Sequence, residues 1–269
     1  MDKKSSDPFE ALLKPSEEKN MFSAPVGLTD VSGRYRLGVP KRPNIKHDNG
    51  HLDTFPHEPP TAADRAKLLK WEAMLMGSEA LCDARFGKYV GKCNGEDLTD
   101  ANGAYRHFLH GNGVDRKIDY ERYLKNDPSG RQLLPLLMDD FKKHATVIGR
   151  DRIKFSITSD SFSVGHKGIA PYPETANWQK ALGAHFIWVS ADIAVSANSK
   201  GMIVFDATVT VHVEDRYNFN PGSSDVATGI PDSANGRFEI TGLAKQYTSY
   251  ASISRNVKWE EGTPSSKRN

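Results

Sequence analysis

The sequence predicts an α+β protein: a helical first half, then an antiparallel, half-open sheet or small barrel. Three observations carry this. Apolar residues recur at helical spacing between residues 61 and 150, period-2 alternation takes over from Arg152, and the two patterns do not interleave. With 269 residues and 38% apolar content, the chain is long enough to bury a core. Its 36 basic and 34 acidic residues leave a formal charge of +2. That balance argues against nucleic acid as a partner, which needs a concentrated basic face.

Residues 1–60 carry scattered prolines, among them Pro8, Pro15, Pro25, Pro40, Pro43 and Pro56, with many charges and little apolar periodicity. Such composition predicts a disordered or extended arm. Pro60 is followed by Thr61-Ala-Ala-Asp64, the start of a capped helix, in which Leu68, Trp71, Leu75, Ser78, Leu81 and Cys82 recur at helical spacing. Short helices are expected over 100–110 and 119–125, separated by the turn Gly111-Asn112-Gly113. A longer one follows from Arg131, with Leu134, Leu137, Met138, Phe141, Ala145 and Ile148 as its stripe, Pro135 disturbing its start and Gly149 ending it.

Strands are expected at Ile153, Phe155 and Ile157, then from Ile187 to Val195, then over 202–214. In the last, Ile203, Phe205, Ala207, Val209, Val211 and Val213 alternate with a largely polar set, the mark of one buried face. A short helix over 238–250 and a final strand over 253–259 complete the chain. The resulting division is an arm over 1–60, a helical domain over 61–150 and a β-rich domain over 151–269. No window is apolar enough to span a membrane, and the N-terminus lacks the apolar core of a signal peptide. Cys82 and Cys93 belong to no metal-ligand pattern; reduced thiols are the default, and a disulfide would suit an oxidising compartment.

The segment 212–237 follows the longest strand and is dense in carboxylates, amides and glycine. Loops held by a rigid sheet are where chemistry concentrates. Two stretches here resemble the colicin M family, bacteriocins that destroy the lipid-linked precursor of peptidoglycan. One runs from Ala104 to Asp119, a helix ending in Gly-Asn-Gly and followed by a charged pair; the other is Glu214-Asp-Arg-Tyr-Asn-Phe-Asn220, similar to the family's Asp-x-Tyr-Asp-Phe-Asn signature.

The resemblance implies a Mg2+-dependent hydrolase, with other divalent cations as substitutes, that cuts lipid II between undecaprenol and pyrophosphate. It further implies a cognate immunity protein, and a toxin made in the cytoplasm without a signal peptide, exported or released, that acts in the target-cell periplasm. Delivery by a secretion machine and uptake through an outer-membrane receptor both stay open. Asp215 and Tyr217 match the signature residue for residue, with Asp215 as metal ligand. Asn218 stands where the family has a second aspartate, no histidine follows His212, and Arg237 is the nearest candidate for the family's arginine, behind an insertion. Asp215, Tyr217, Asn218 and Arg237 are therefore the expected catalytic set, and Asn220, Asp225 and Asp232 the expected substrate-binding set.

Hydrolysis at a pyrophosphate requires neutralised phosphate charge, an activated water and a stabilised leaving oxygen. An acid, a hydroxyl and a guanidinium fork are the side chains that supply these. His107 and His110 lie three apart but lack a third ligand; the Gly-Asn-Gly turn reads as a helix C-cap, and Tyr247, Tyr250 and Trp259 as packing groups. The alternative function is a non-hydrolytic membrane-damaging or binding module on the same scaffold.

Overall fold

The computed structural model describes residues 33–86, 93, 95–165, 167–226 and 229–262. In chain order its first elements are β1 (Tyr35–Leu37), α1 (His51–Thr54), α2 (Ala62–Cys82), α3 (Thr99–His110), β2 (Arg116–Lys117), α4 (Tyr120–Asn126) and α5 (Pro128–Gly149). There follow β3 (Lys154–Ser159), β4 (Phe162–Val164), α6 (Ala176–Ala181), β5 (His185–Ala197), β6 (Ile203–Tyr217), α7 (Ser233–Ile240) and β7 (Tyr247–Glu261).

Local chemistry sets the helix starts. Thr61 caps α2 in a reciprocal box: its hydroxyl accepts from the Asp64 N–H at 3.1 Å, and the Asp64 carboxylate accepts from the Thr61 N–H at 2.9 Å. Asp127 caps α5 and Pro128 fills the first helical position, where a missing N–H leaves nothing unpaired. The same buried carboxylate accepts from Ser129 N, Thr175 N and Thr175 Oγ1 at 2.8–2.9 Å, tying the start of α5 to that of α6. Pro135 is accommodated inside α5.

The sheet is open, in the order β1-β3-β5-β6-β7-β2, with β4 paired to β5. Every pairing is antiparallel except β2 on β7, so it is mixed rather than wholly antiparallel as expected, and it does not close into a barrel. The alternation in β6 resolves as read: Phe205, Ala207, Val209, Val211 and Val213 are buried, while Asp206 and Thr208 are exposed. The buried row meets α5, whose Leu137, Phe141 and Ala145 belong to the same cluster. Gly149 makes the close approach possible, because a Cβ there would lie 2.7 Å from the rings of both Phe155 and Phe205. Trp259 stacks on Phe205 at 4.8 Å and donates to Thr146 Oγ1.

This main cluster takes Tyr120, Leu133 and Phe141 from the helical stretch and Ile157, Val189 and Val211 from the strands, so the two halves of the sequence share one core. A second cluster gathers Leu75, Phe108, Phe238 and Tyr247, with Trp71 and Tyr105 against it.

Three expectations are corrected. The part of the arm before residue 33 lies outside the described residues, but from Tyr35 the arm is built into the fold: β1 pairs with β3, and Arg34 and Tyr35 bond Asp140 at 3.2 and 3.1 Å. The helix expected over 238–250 ends at Ile240, and β7 begins at Tyr247, because the end of β6 offers that stretch a strand to pair with. Cys82 and Cys93 are joined in a disulfide, with Cα atoms 5.5 Å apart, rather than reduced.

Cys82→Ser is expected to lower the free energy of unfolding by about 2–3 kcal/mol, the loop-closure value for a short loop. The check is the denaturant midpoint, with and without reductant; wild type and variant should converge once the wild type is reduced.

Candidate active site

Asp215 continues the inward series of β6 past Val213, so its carboxyl sits where the apolar row ends and is 8% exposed. On β7 it faces Ser249, and Ser249 in turn faces Arg116 on β2. Residues opposite one another on neighbouring strands project to the same face. Acid, hydroxyl and guanidinium thus form one row across three strands. The next inward row is Tyr217 opposite Tyr247, their rings stacked 5.0 Å apart. Phe108 and Phe219 pack against Tyr217, and the Arg116 head rests on Gly103 of α3.

Burial pushes the Asp215 carboxyl well above the usual carboxylate range, and the charges of Asp48 and Glu214 push it further; the backbone N–H and the charge of Arg216 oppose them. Burial, reinforced by Tyr247, also raises the Tyr217 hydroxyl, which stays protonated. That hydroxyl bonds to no side chain or backbone atom among the described residues. The Ser249 hydroxyl is fully buried and, among the described residues, has no partner of hydrogen-bonding geometry.

The other face of the same strand end is covered by residues 42–51 of the arm. Glu214 accepts from Arg42 Nε at 2.6 Å and from His47 Nε2 at 2.7 Å. Burial alone would raise this carboxyl, yet the hydrogen bonds from Arg42 and His47 hold it down to about 2. Asp48 then accepts from Asn218 Nδ2 at 2.7 Å and from Gly50 N at 2.9 Å, while Gln246 Nε2 donates to Asn49 O. His51 donates to Phe219 O through both its backbone N and its Nδ1, at 3.0 and 2.8 Å. Gly50 has φ 54°, and a Cβ on it would lie 2.1 Å from Phe219 O, so only glycine permits this crossing. Gly236 of α7 closes the other side, its position for a Cβ being 2.2 Å from the His51 ring.

Two further acids line this junction. Glu239 is 2% exposed; its Oε1 accepts from Phe219 N at 3.2 Å, and its Oε2 has no partner of hydrogen-bonding geometry among the described residues. Burial lifts it to about 8. Asp232 is likewise raised by burial, while accepting from Asn220 N at 3.1 Å.

The expected residues do not all converge. Asp215 and Tyr217 share the inward face, whereas Asn218 and Asn220 lie beside the arm, Asn218 on Asp48 and the Asn220 Oδ1 3.0 Å from where a Gly50 Cβ would be. Arg237 does not join them: its fork grips Asp64 at 3.0–3.1 Å and also pairs with Glu58, clamping α7 to the start of α2. The guanidiniums whose charges reach the Asp215–Tyr217 strand end are those of Arg116 and Arg216. Asp225 is ion-paired to Lys180. His107 donates to Val114 O at 2.6 Å, and His110 lies 3.7 Å from Glu72, so neither sits in a ligand set. The Gly-Asn-Gly turn caps α3 and meets the segment just before β7, where Lys245 Nζ donates to Asn112 Oδ1 at 2.7 Å. The site residues missed in the sequence are Arg116, His47, Asp48, His51, Ser249 and Glu239.

Magnesium is held by one or two carboxylates, its other places going to water and substrate phosphates. The carboxylates nearest this role are Asp215 and, bonded to Asn218 on the strap side, Asp48, whose charge acts on Asp215. Among the described residues no three His, Cys, Asp or Glu side chains gather into a larger cation-holding group.

These elements define an α+β domain with a polar site at one end of an open mixed sheet. Among solved structures it is similar to PaeM, a colicin M-like bacteriocin produced by Pseudomonas aeruginosa, at 15% identity and a TM-score of 0.40 over 63% of this chain and 54% of that one. It is also similar to the truncated bacteriocin syringacin M from Pseudomonas syringae pv. tomato DC3000, at 14% identity and a TM-score of 0.31 over 60% of this chain and 61% of that one. Pectocin M2 matches at 21% identity and a TM-score of 0.27, over 60% of this chain and 55% of its own. The chain thus spans less than two thirds of each. No family model matches the sequence, and no curated protein matches it significantly.

A carboxyl raised from 4.5 to about 8 stays protonated in the folded protein while the unfolded chain ionises. The unfolded state then binds fewer protons, so Glu239 lowers stability as pH rises from about 4.5 to about 8, by a few kcal/mol. Glu239→Gln is expected to flatten the fall in urea-unfolding free energy across that window.

Proposed function

We propose that the protein is an antibacterial toxin that hydrolyses lipid II between undecaprenol and pyrophosphate. The reading rests on one juxtaposition. The two stretches that resemble the colicin M family, 104–119 and 214–220, are far apart in sequence, yet Arg116 of the first and Asp215 of the second stand in one row with Ser249 between them. An anionic phosphate needs a cation, a hydroxyl donor and an acid within one reach, and this strand end offers all three.

Asp48 and Asp215 would hold magnesium, which when bound neutralises phosphate charge and lowers the pKa of water. Arg116 presents a planar fork to phosphate oxygens, in the role first expected of Arg237. The Tyr217 hydroxyl keeps its proton and donates it in a hydrogen bond to the departing lipid oxygen. Asn218, by donating to Asp48, orients that carboxylate; an amide in the second-aspartate position thereby recruits an acid from the arm. His51 carries its proton on Nδ1, fixed by the Phe219 carbonyl, which orients the ring beside α7. The alternative, a non-hydrolytic membrane-damaging module, draws on the same scaffold and is separated from this reading by the assay below.

The Cys82–Cys93 bond suits action in an oxidising periplasm. A cognate immunity protein, and delivery by a secretion machine or an outer-membrane receptor, belong to the same reading.

Purified protein with lipid II and magnesium should release undecaprenol and the pyrophosphorylated disaccharide-peptide. Asp215→Ala is expected to slow product release about 10²–10⁴-fold, and Arg116→Ala about 10²–10³-fold. Arg237→Ala should lower the melting temperature and leave kcat/KM near the wild-type value. No product from folded wild-type protein at high enzyme concentration refutes the reading, and dye release from liposomes would then favour the alternative.

A further inference from the structure

The helix α2 is apolar on two sides. Its inner side supplies Leu75 to the second core cluster, with Leu68 and Trp71 packed against it. Its outer side exposes Leu69 (66%) and Met76 (59%), seven residues apart, and Met74 (48%) and Leu81 (42%), also seven apart. Alanines at 62, 63, 66, 73 and 80 and Gly77 fill the remaining outward positions. The two lines lie roughly 120–140° apart around the helix and bound a strip of small residues, so the outer side is a broad, shallow apolar face of the kind that marks an interaction site.

Charge on the same helix is sorted by direction. Arg65, Lys67 and Lys70 point outward and form no ion pair among the described residues. All three acids turn inward or sideways: Asp64 is buried on Arg237, Glu79 is buried on Arg106, and Glu72 lies beside His110. The outer surface of a 21-residue helix thus carries apolar groups and cations and no anion.

We propose that this face of α2 lies on an anionic lipid bilayer, with its leucines and methionines in the headgroup boundary and Arg65, Lys67 and Lys70 against lipid phosphates. Interfacial helices combine these two features, apolar insertion and basic residues that reach up to the headgroups. None of the described helices is long and apolar enough to cross a membrane, so the contact is lateral. Pairing of α2 with a second copy would bring the cations of two chains together with no exposed acid to match them. The inference goes beyond the proposed hydrolysis and concerns a different surface, though it would bring a lipid-linked substrate within reach of the site.

The test is cosedimentation of the full chain with vesicles of phosphatidylglycerol and phosphatidylethanolamine, free of lipid II, against vesicles of phosphatidylcholine alone. Binding is expected only to the anionic vesicles and should fall with rising salt. Leu69→Glu with Met76→Glu, and separately Lys67→Glu with Lys70→Glu, should each weaken it at least about tenfold. All four positions are exposed, so circular dichroism should be unchanged, and hydrolysis of detergent-solubilised lipid II should be retained. Wild-type protein that ignores both vesicle types, or variants that bind as well as wild type, would overturn the proposal. So would a dimer in sedimentation velocity that the Leu69→Glu, Met76→Glu variant abolishes, since the face would then join two copies of the chain.

Discussion

The register between β6 and β7 is the constraint on which the rest depends. It runs unbroken from Ile203 opposite Glu261 to Tyr217 opposite Tyr247. A slip of one residue would turn Asp215 and Tyr217 to the face that now carries Glu214 and Arg216 and would remove Arg116 from the row. The two-residue strand β2 could not hold its own register. It is fixed from outside, by Thr248 N on Asp115 Oδ1 at 3.0 Å, by Ile118 N on Tyr250 O at 3.0 Å and by the Gly-Asn-Gly turn seated against Lys245 and Gln246. That turn positions the cation without touching it.

Much of the scaffold is legible because its determinants are local. The alternation of β6 encodes one buried face, and Thr61 with Asp64 encodes a helix start through groups three residues apart. The α+β order follows from the switch between the two periods. What escapes notice is carried by long-range polar contacts. Residues 42–51 have no apolar periodicity because they attach through His47, Asp48, Asn49 and His51, side chains equally at home in a solvated tail. The engagement of Arg237 escapes notice for the same reason: nothing near it in sequence reveals Asp64 and Glu58, which occupy its fork. Arg116 stands inside a stretch singled out for its resemblance, but only the parallel pairing of β2 with β7 reveals what it faces. The start of β7 has helix-compatible spacing that pairing with β6 overrides.

Glu214 and Asp215 show how one strand end divides its electrostatics. They are consecutive, and a strand sends consecutive side chains to opposite faces. Outward, Glu214 meets Arg42 and His47 and remains an anion that fastens the arm. Inward, Asp215 is buried within reach of other acids, and its proton affinity is raised. Asp215, Glu239 and Asp232, all raised by burial, make the region costly to fold near neutral pH, while the depressed Glu214 stabilises it. Burial of acids at a polar crevice is the arrangement that functional sites show. The strap of residues 42–51 offsets part of that cost by supplying hydrogen bonds to Asn218, Phe219 and Gln246.

The position of β1 has a mechanical meaning. Tension applied to the polypeptide ahead of Gly33 reaches β1 before the strap, and there it is borne by antiparallel pairing with β3, by the two contacts of Arg34 and Tyr35 with Asp140, and by Arg36 on Asp160. Pulling from that end therefore loads an edge strand far from the acids, and Gly50 and His51 keep their places until that anchor peels away.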